Sequence, residues 1–295
     1  MRIAVTGATG FIGRHVVNAL VSNGYDVLAV GRSAPLPGQK LSFLPVDLLQ
    51  EKNHHWISEY KPSHLLHLAW YAEHRKYWTS PLNLNWCDAT VHLVNAFVNQ
   101  GGKRVVVAGS CAEYDWSFGY CHEVKTPSRP STLYGTAKDC ARRMSEKICA
   151  LQSVPLAWGR IFLPFGLGES SQRLIPSITH ALSGLRPPFP IRVHQWRDIL
   201  PVEIVADGLV FLVAQESSGV FNICSGKPTQ LSEVIQKIGV MLNRNIDLLM
   251  VEADSSLYPD YFLLGDNQSL VSQGWLPEYN IWESLNVYVS NLTEL

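Results

Sequence analysis

What this sequence has least of is net charge: 24 lysines and arginines stand against 25 aspartates and glutamates, a formal charge of -1 with histidine neutral. The two signs are mixed along the chain, which gives no electrostatic reason to expect nucleic acid or an anionic membrane as a partner. Long apolar runs are missing too. The first apolar stretch, Ile3 to Val5, runs straight into Thr6-Gly7 and is too short for a signal peptide; no later run approaches the ~20 residues that a membrane span needs. Cysteine is scattered: Cys87, Cys111, Cys121, Cys140, Cys149 and Cys224 form no CxxC pair and have no histidine partners at zinc-site spacing. That excludes a disulfide scaffold and leaves no metal site to expect. A cytoplasmic, globular protein is the expectation, and 46% hydrophobic residues in 295 suffice for one large domain or two small ones.

What is present is alternation. Ile3 to Val5, Asp26 to Val30, Ser42 to Val46, Leu65 to Leu68, Val105 to Ala108 and Leu156 to Phe162 read as strands. Helix-length amphipathic segments separate them at Phe11 to Asn23, Gln50 to Tyr60, Leu82 to Gln100 and Leu133 to Gln152. Such βα alternation predicts an α/β fold, a doubly wound parallel sheet of Rossmann type covered on both faces. After Pro164, Gly and Pro cluster and the elements shorten. Residues 1–165 are therefore read as the dinucleotide-binding domain and 166–295 as a smaller α/β region. The two interleave, because Glu203 to Ala214 reads as a helix and Gly219 to Cys224 as a strand able to return to the main sheet.

The first strand runs into Thr6-Gly7-Ala8-Thr9-Gly10-Phe11-Ile12-Gly13, which opens a helix. Glycines there let the backbone approach a pyrophosphate, and the unpaired N–H groups and dipole of the helix start stabilise its charge. Further along, Tyr134 and Lys138 lie four apart on an expected helix and share one face. A free tyrosine titrates near 10, roughly three pH units above neutrality, so proton transfer at neutral pH asks for about 4 kcal/mol of differential stabilisation, and a nearby ammonium favours the phenolate. Ser110 falls at the C-terminal end of the fifth strand, where open parallel sheets hold ligands, and its hydroxyl suits polarisation of a substrate oxygen.

The GxxGxxG spacing together with Tyr134-Gly135-Thr136-Ala137-Lys138 resembles the extended short-chain dehydrogenases, the epimerase and dehydratase group acting on nucleotide sugars. His67-Leu68-Ala69-Trp70, Gly109-Ser110, Arg197-Asp198 and Phe221-Asn222-Ile223-Cys224-Ser225-Gly226 occur in the family's order, and the likeness spans nearly the whole chain. It implies a Ser110, Tyr134 and Lys138 triad. It also implies a dinucleotide site built from Gly7, Thr9, Gly10, Phe11, Ile12, Gly13, Asp47, Leu48, Leu68, Ala69 and Trp70, with Lys138 on the nicotinamide ribose. Arg197, Arg173 and Leu174 would then face a nucleotide diphosphate sugar, and a homodimer formed by helix pairing is common in the group.

Within that group, dehydratases carry an Asp-Glu pair directly after the Ser/Thr, where this chain has Cys111 and Ala112; Glu113 is one place late and, on an extended segment, points to the other face. Combined epimerase-reductases carry a Cys two places after the Ser, where Ala112 stands, so Cys111 reads as a small buried hydrophobe. Family members that use NAD usually end the second strand with an acid. Gly31-Arg32-Ser33 stands there instead, and Arg32 with Ser33 suits the 2'-phosphate of NADP. Tyr71, His74, Trp78 and His122 read as plain loop residues. The expected activity is NADPH-dependent reduction of the C4 ketone of a nucleotide-activated 4-keto-6-deoxy sugar. The alternatives are an NAD(P)-dependent 4-epimerase and, in another class, a non-catalytic dinucleotide-sensing regulator.

Overall fold

A computed structural model describes residues 1–35, 41–51, 54–249 and 262–293. In chain order the elements are β1 (Arg2–Thr6), α1 (Phe11–Ser22), β2 (Asp26–Gly31), β3 (Ser42–Pro45), α2 (Trp56–Tyr60), β4 (His64–His67), α3 (Leu82–Asn99) and β5 (Arg104–Ser110). There follow β6 (Tyr120–Cys121), α4 (Leu133–Leu151), β7 (Leu156–Ile161), β8 (Leu163–Phe165), α5 (Leu174–Leu182), β9 (Trp196–Arg197), β10 (Ile199–Pro201) and α6 (Val202–Ala214). The chain closes with β11 (Gly219–Ile223), β12 (Thr229–Gln230), α7 (Leu231–Leu242), β13 (Phe262–Gly265), α8 (Gln268–Val271) and α9 (Ile281–Thr293).

Seven strands form one sheet in the order β11-β7-β5-β4-β1-β2-β3, every neighbour parallel. The reason lies in the side chains. Runs such as Val105-Val106-Val107 are β-branched and bury both faces: Val106 joins one core with Ile3, Val5, Val16 and Leu209, while Val105 and Val107 join the opposite core with Leu28, Leu93 and Phe97. Successive residues of a strand point to opposite faces, so an unbroken apolar run demands helices on both. This is the Rossmann-type α/β fold that the alternation predicts, and the strand at 219–223 lies at its edge beside β7. A third core, around Ile178, Val234, Ile238 and Tyr288, holds the later helices together. No helix among the described residues is long and apolar enough to cross a membrane.

One expected element shrinks. The helix read over 50–60 is present only as Trp56–Tyr60; residues 52–53 of that span lie outside the described residues. Asp47 starts a turn instead, its carboxylate accepting from the Leu49 amide at 3.1 Å and its carbonyl from Gln50 and Glu51. An Asp side chain that captures a nearby amide competes with the helix ladder. His54, at φ 46°, and Lys61, at φ 48°, bracket what remains.

Candidate active site

The ends of β1, β4 and β5 open on the same edge of the sheet, and the site is built there. At β1, Gly7 takes φ +68°, and a Cβ on it would lie 2.7 Å from the Ala69 amide nitrogen. A Cβ on Gly13 would overlap the Gly7 carbonyl oxygen and crowd Ala8 at 2.9 Å. Gly10 caps α1 without a side-chain hydrogen bond. The first-turn amides of α1, Phe11 to Gly13, have no carbonyl one turn back and face outward as anion donors. A cradle that only glycine backbone fits, at the positive end of a helix, suits a dinucleotide pyrophosphate. Around it, β2 ends at Gly31 with no carboxylate, Arg32 and Ser33 are exposed, Leu48 is buried, and Thr9, Asp47, Leu68, Ala69 and Trp70 are half-buried.

His67 fastens the β4 end to β1. Its ring joins the Thr6 hydroxyl at 2.7 Å and the Thr90 hydroxyl at 2.9 Å. Burial, helped by the Lys138 ammonium, lowers it to about 3, so it works as a neutral bridge. Next door, the Trp70 indole donates to Asn83 at 2.9 Å and stacks on Trp86. Asn83, itself buried, donates onward to the carbonyls of Tyr77 and Ser80.

Thr132 caps α4 by accepting from the Gly135 amide at 3.1 Å. The first turn carries Tyr134 and the second Lys138. Gly135 admits a close approach, since a Cβ there would overlap the Ala112 carbonyl oxygen. Ser110 lies within hydrogen-bonding reach of the Tyr134 phenol. Lys138, 3% exposed, donates to the Ala108 carbonyl at 2.8 Å and sits 4.0 Å above the Trp70 ring. The three side chains therefore meet in one corner. The downward shift expected of Tyr134 beside Lys138 is corrected: burial holds the phenol above its ordinary value, opposed by Ser110 and the field of Arg173. Burial also lowers Lys138 to about 7, opposed by Glu113.

The segment after Ser110 is not extended. Cys111–Glu113 is a single 3₁₀ turn, and Glu113 folds back to accept from the Ser110 amide at 2.8 Å while the Ser110 hydroxyl accepts from Ala112. The expectation that Glu113 points away is corrected: a reciprocal capping box, S-x-x-E, outcompetes continued strand. Cys111 is buried in the core, its thiol pushed up by desolvation.

Aromatic rings wall the corner. Tyr134 meets Tyr77 edge-on at 4.8 Å, Trp78 at 5.7 Å and Trp70 at 6.3 Å, and Trp78 meets Trp116 at 6.0 Å. Trp78, whose sequence context suggests a plain loop residue, thus packs on Tyr134. Tyr71 matches its loop reading, bonded to Glu73 on the surface, as does His122, which accepts from Val124. Facing the corner from the second region, Arg173 leads into α5 ahead of Leu174, stacks over Phe11 at 5.5 Å, pairs with Glu169 at 3.0 Å and donates to Pro164. Glu169 is buried and pushed up to about 7 by desolvation. Arg197, half-buried, donates to the Trp196 carbonyl. Sequence reading missed Asn83 and Arg160, turned Glu113 to the wrong face, and missed Glu169. The first three are tied to partners 13 to 47 positions distant, and no local pattern announces such pairs. Only Glu169, at i,i+4 from Arg173, and the S-x-x-E box left a signal.

The sequence model of the NAD dependent epimerase/dehydratase family matches residues 3–224. The dTDP-6-deoxy-L-talose 4-dehydrogenase (NAD(+)) of Aggregatibacter actinomycetemcomitans is 29% identical over 247 residues, covering 80% of this chain and 89% of its own. The GDP-6-deoxy-D-mannose reductase of Pseudomonas aeruginosa is 22% identical, covering 98% and 96%. Among solved structures, MoeE5 in complex with UDP-glucose and NAD superposes with a TM-score of 0.85 at 27% identity, covering 100% of this chain and 99% of that one.

Proposed function

Because the chain belongs to the NAD-dependent epimerase/dehydratase family, we propose that within this group of NAD(P)-dependent, nucleotide-sugar enzymes it reduces the C4 ketone of a nucleotide-activated 4-keto-6-deoxy sugar. The observation that carries the reading is a corner in which the positions directly after Ser110 place no acid-base pair beside Tyr134. Tyr134 stands with Ser110 and Lys138, while the next positions are a core cysteine, an alanine and a glutamate bound from beneath. Loss of water needs a further acid-base pair; exchange of a hydride and a proton across one carbonyl does not.

The bound dinucleotide supplies the hydride, and NADPH is favoured because Arg32 and Ser33 follow Gly31 where a carboxylate would repel a 2'-phosphate. Gly7 to Gly13 hold the pyrophosphate, with Asp47 and Leu48 beside the adenine. Lys138 holds the nicotinamide ribose. Ser110 orients the C4 oxygen, and Tyr134 gives it the proton. A phenol held above its ordinary value is protonated at neutral pH, which is the state reduction requires. An epimerase would also need the phenolate, and room for the keto sugar to turn over between the rings of Trp70, Tyr77 and Trp78. Arg197 and Arg173 suit the diphosphate, and Leu174 the nucleoside. Exposed Leu84 on α3 and Met144 on α4 suit a homodimer through these helices.

Two relatives support the sugar. One is named for dehydrogenating a 6-deoxy sugar nucleotide at C4 and the other for reduction to one. The test mixes purified protein with NADPH or NADH and a panel of nucleotide-linked 4-keto-6-deoxy sugars, following nicotinamide absorbance and identifying the product. Stoichiometric NADPH consumption is expected. Flat absorbance with conversion of a nucleotide hexose to its C4 epimer would replace the reductase by the epimerase.

A further inference from the structure

Beneath the Ser110 corner lies a charged cluster that the proposed reaction does not use. Glu113 is fully buried. One oxygen accepts from the Ser110 amide at 2.8 Å and from the Trp158 indole at 2.9 Å; the other accepts from the Arg160 guanidinium at 2.8 Å. Arg160, 1% exposed, continues to the Ser128 hydroxyl at 2.8 Å and lies over the Tyr114 ring at 4.1 Å. From α4, Asp139 stands 3.8 Å from Arg160, and Arg142 bonds Asp139 at 2.7 Å and stands 4.0 Å from Glu113. Gly109 is glycine for the same reason, since a Cβ there would overlap the Trp158 indole nitrogen and lie 2.7 Å from Glu113. A buried pair of this kind is costly to desolvate and often adds little stability over an apolar replacement. Its use must be sought in what it holds.

We propose that Glu113 is a positioning residue: from below the corner it fixes the Ser110 backbone and sets its carboxylate at the same end of β5 that holds the Lys138 amine. The inference rests on the reading of Ser110, Tyr134 and Lys138 as the reacting corner. Two observations support it. The capping box is reciprocal: Glu113 holds the Ser110 amide and so the backbone that carries the side chain, and the Ser110 hydroxyl cannot turn from Tyr134 without losing the Ala112 amide. And Lys138 donates to the Ala108 carbonyl at 2.8 Å, two residues before the Ser110 amide that Glu113 holds, and Glu113 is the group that opposes the fall of this desolvated amine to about 7. His67, from β4, is neutral, and Tyr134, one turn back on α4, is protonated. Arg160 and Arg142 offset part of the Glu113 charge, and Asp139 offsets part of theirs.

The sign is fixed by electrostatics. Removing a nearby negative charge lowers the pKa of an ammonium, and in Glu113→Gln the Arg160 charge, then offset only by Asp139, lowers it further. The experiment measures the affinity of the full chain for NADPH against pH, by the fluorescence of the bound nicotinamide, which needs no sugar substrate. In wild type, affinity is expected to fall severalfold as pH rises through about 7, and in Lys138→Met to be flat there. Glu113→Gln should move the fall to lower pH by about one unit, roughly a tenfold change in the proton affinity of Lys138. Glu113→Asp keeps the charge opposite Arg160 but draws it back from the Ser110 amide. It should keep the wild-type inflection and lose about tenfold in kcat at unchanged KM on the sugar identified above, and it carries the test where Gln does not fold. An inflection that stays in place in Glu113→Gln, or an Asp variant with wild-type kcat, overturns the proposal. Binding of neither NADPH nor NADH at any pH would instead overturn the reading of the corner itself, and where only NADH binds the same titration is made with NADH.

Discussion

The phosphate loop and the catalytic corner lie side by side on one edge of the sheet and are made of different material. The loop is backbone. Gly7 and Gly13 are required by what a Cβ would strike, and the donors are amides that every residue owns. The corner is side chain. Ser110 at a strand end, Glu113 on the 3₁₀ turn that follows it, Tyr134 and Lys138 on a helix and Trp70 on a loop converge from three stretches of chain. A backbone site writes its constraints into a short run of letters, because only glycine tolerates them. A side-chain site spreads them among residues that look ordinary where they stand.

The contrast between loop and corner breaks most decisively at the corner. Tyr134→Phe removes the proton donor and leaves the cradle alone: kcat should fall by about 10²–10⁴-fold while NADPH affinity measured by fluorescence stays within severalfold. Unchanged turnover would mean a proton donor elsewhere; no turnover in the wild type, with dinucleotide still bound, would favour a sensor. At the loop, Gly13→Ala should do the reverse of a corner mutation. Overlap with the Gly7 carbonyl should cost about 1–3 kcal/mol in chemical denaturation and abolish measurable dinucleotide binding. Gly31→Ala, where a Cβ meets nothing within 4 Å, is the control and should unfold as wild type.

A smaller effect separates the cofactors. Arg32→Ala should weaken NADPH by about tenfold, the loss of one charge-assisted contact, and leave NADH unchanged. Equal weakening of both, read by titration, would remove the argument for the phosphate. The smallest effect is at Cys111. Its thiol is buried in the core and pushed up by desolvation, so it is not an acid at neutral pH. Cys111→Ala should cost about 1 kcal/mol of stability and leave the turnover rate within twofold; a collapse of kcat would return this cysteine to the chemistry.

Much of this molecule is legible as text, and the failures are instructive. The strands are readable because β-branched runs such as Val105-Val106-Val107 admit few alternatives. The helix over 50–60 is not, because an Asp47 side chain takes the Leu49 amide and the pattern of apolar residues does not register that competition. Glu113 misleads for a related reason. Strand periodicity places it on the far face, but the same four letters are also a capping box, and Arg160 and Trp158 from β7 satisfy the buried carboxylate in the turn. Trp78 looks like loop until the fold sets it against Tyr134.

The α/β alternation, the glycine cradle and the spacing that puts Tyr134 and Lys138 on one face are written in the letters, because each follows from sterics or periodicity within a few residues. The electrical state of the corner comes from the folded arrangement. Burial raises the phenol and lowers the amine, and Ser110, Glu113 and Arg173 oppose or add to those shifts from outside α4. Desolvation and Coulomb fields depend on distances through space, and distance along the chain does not encode them.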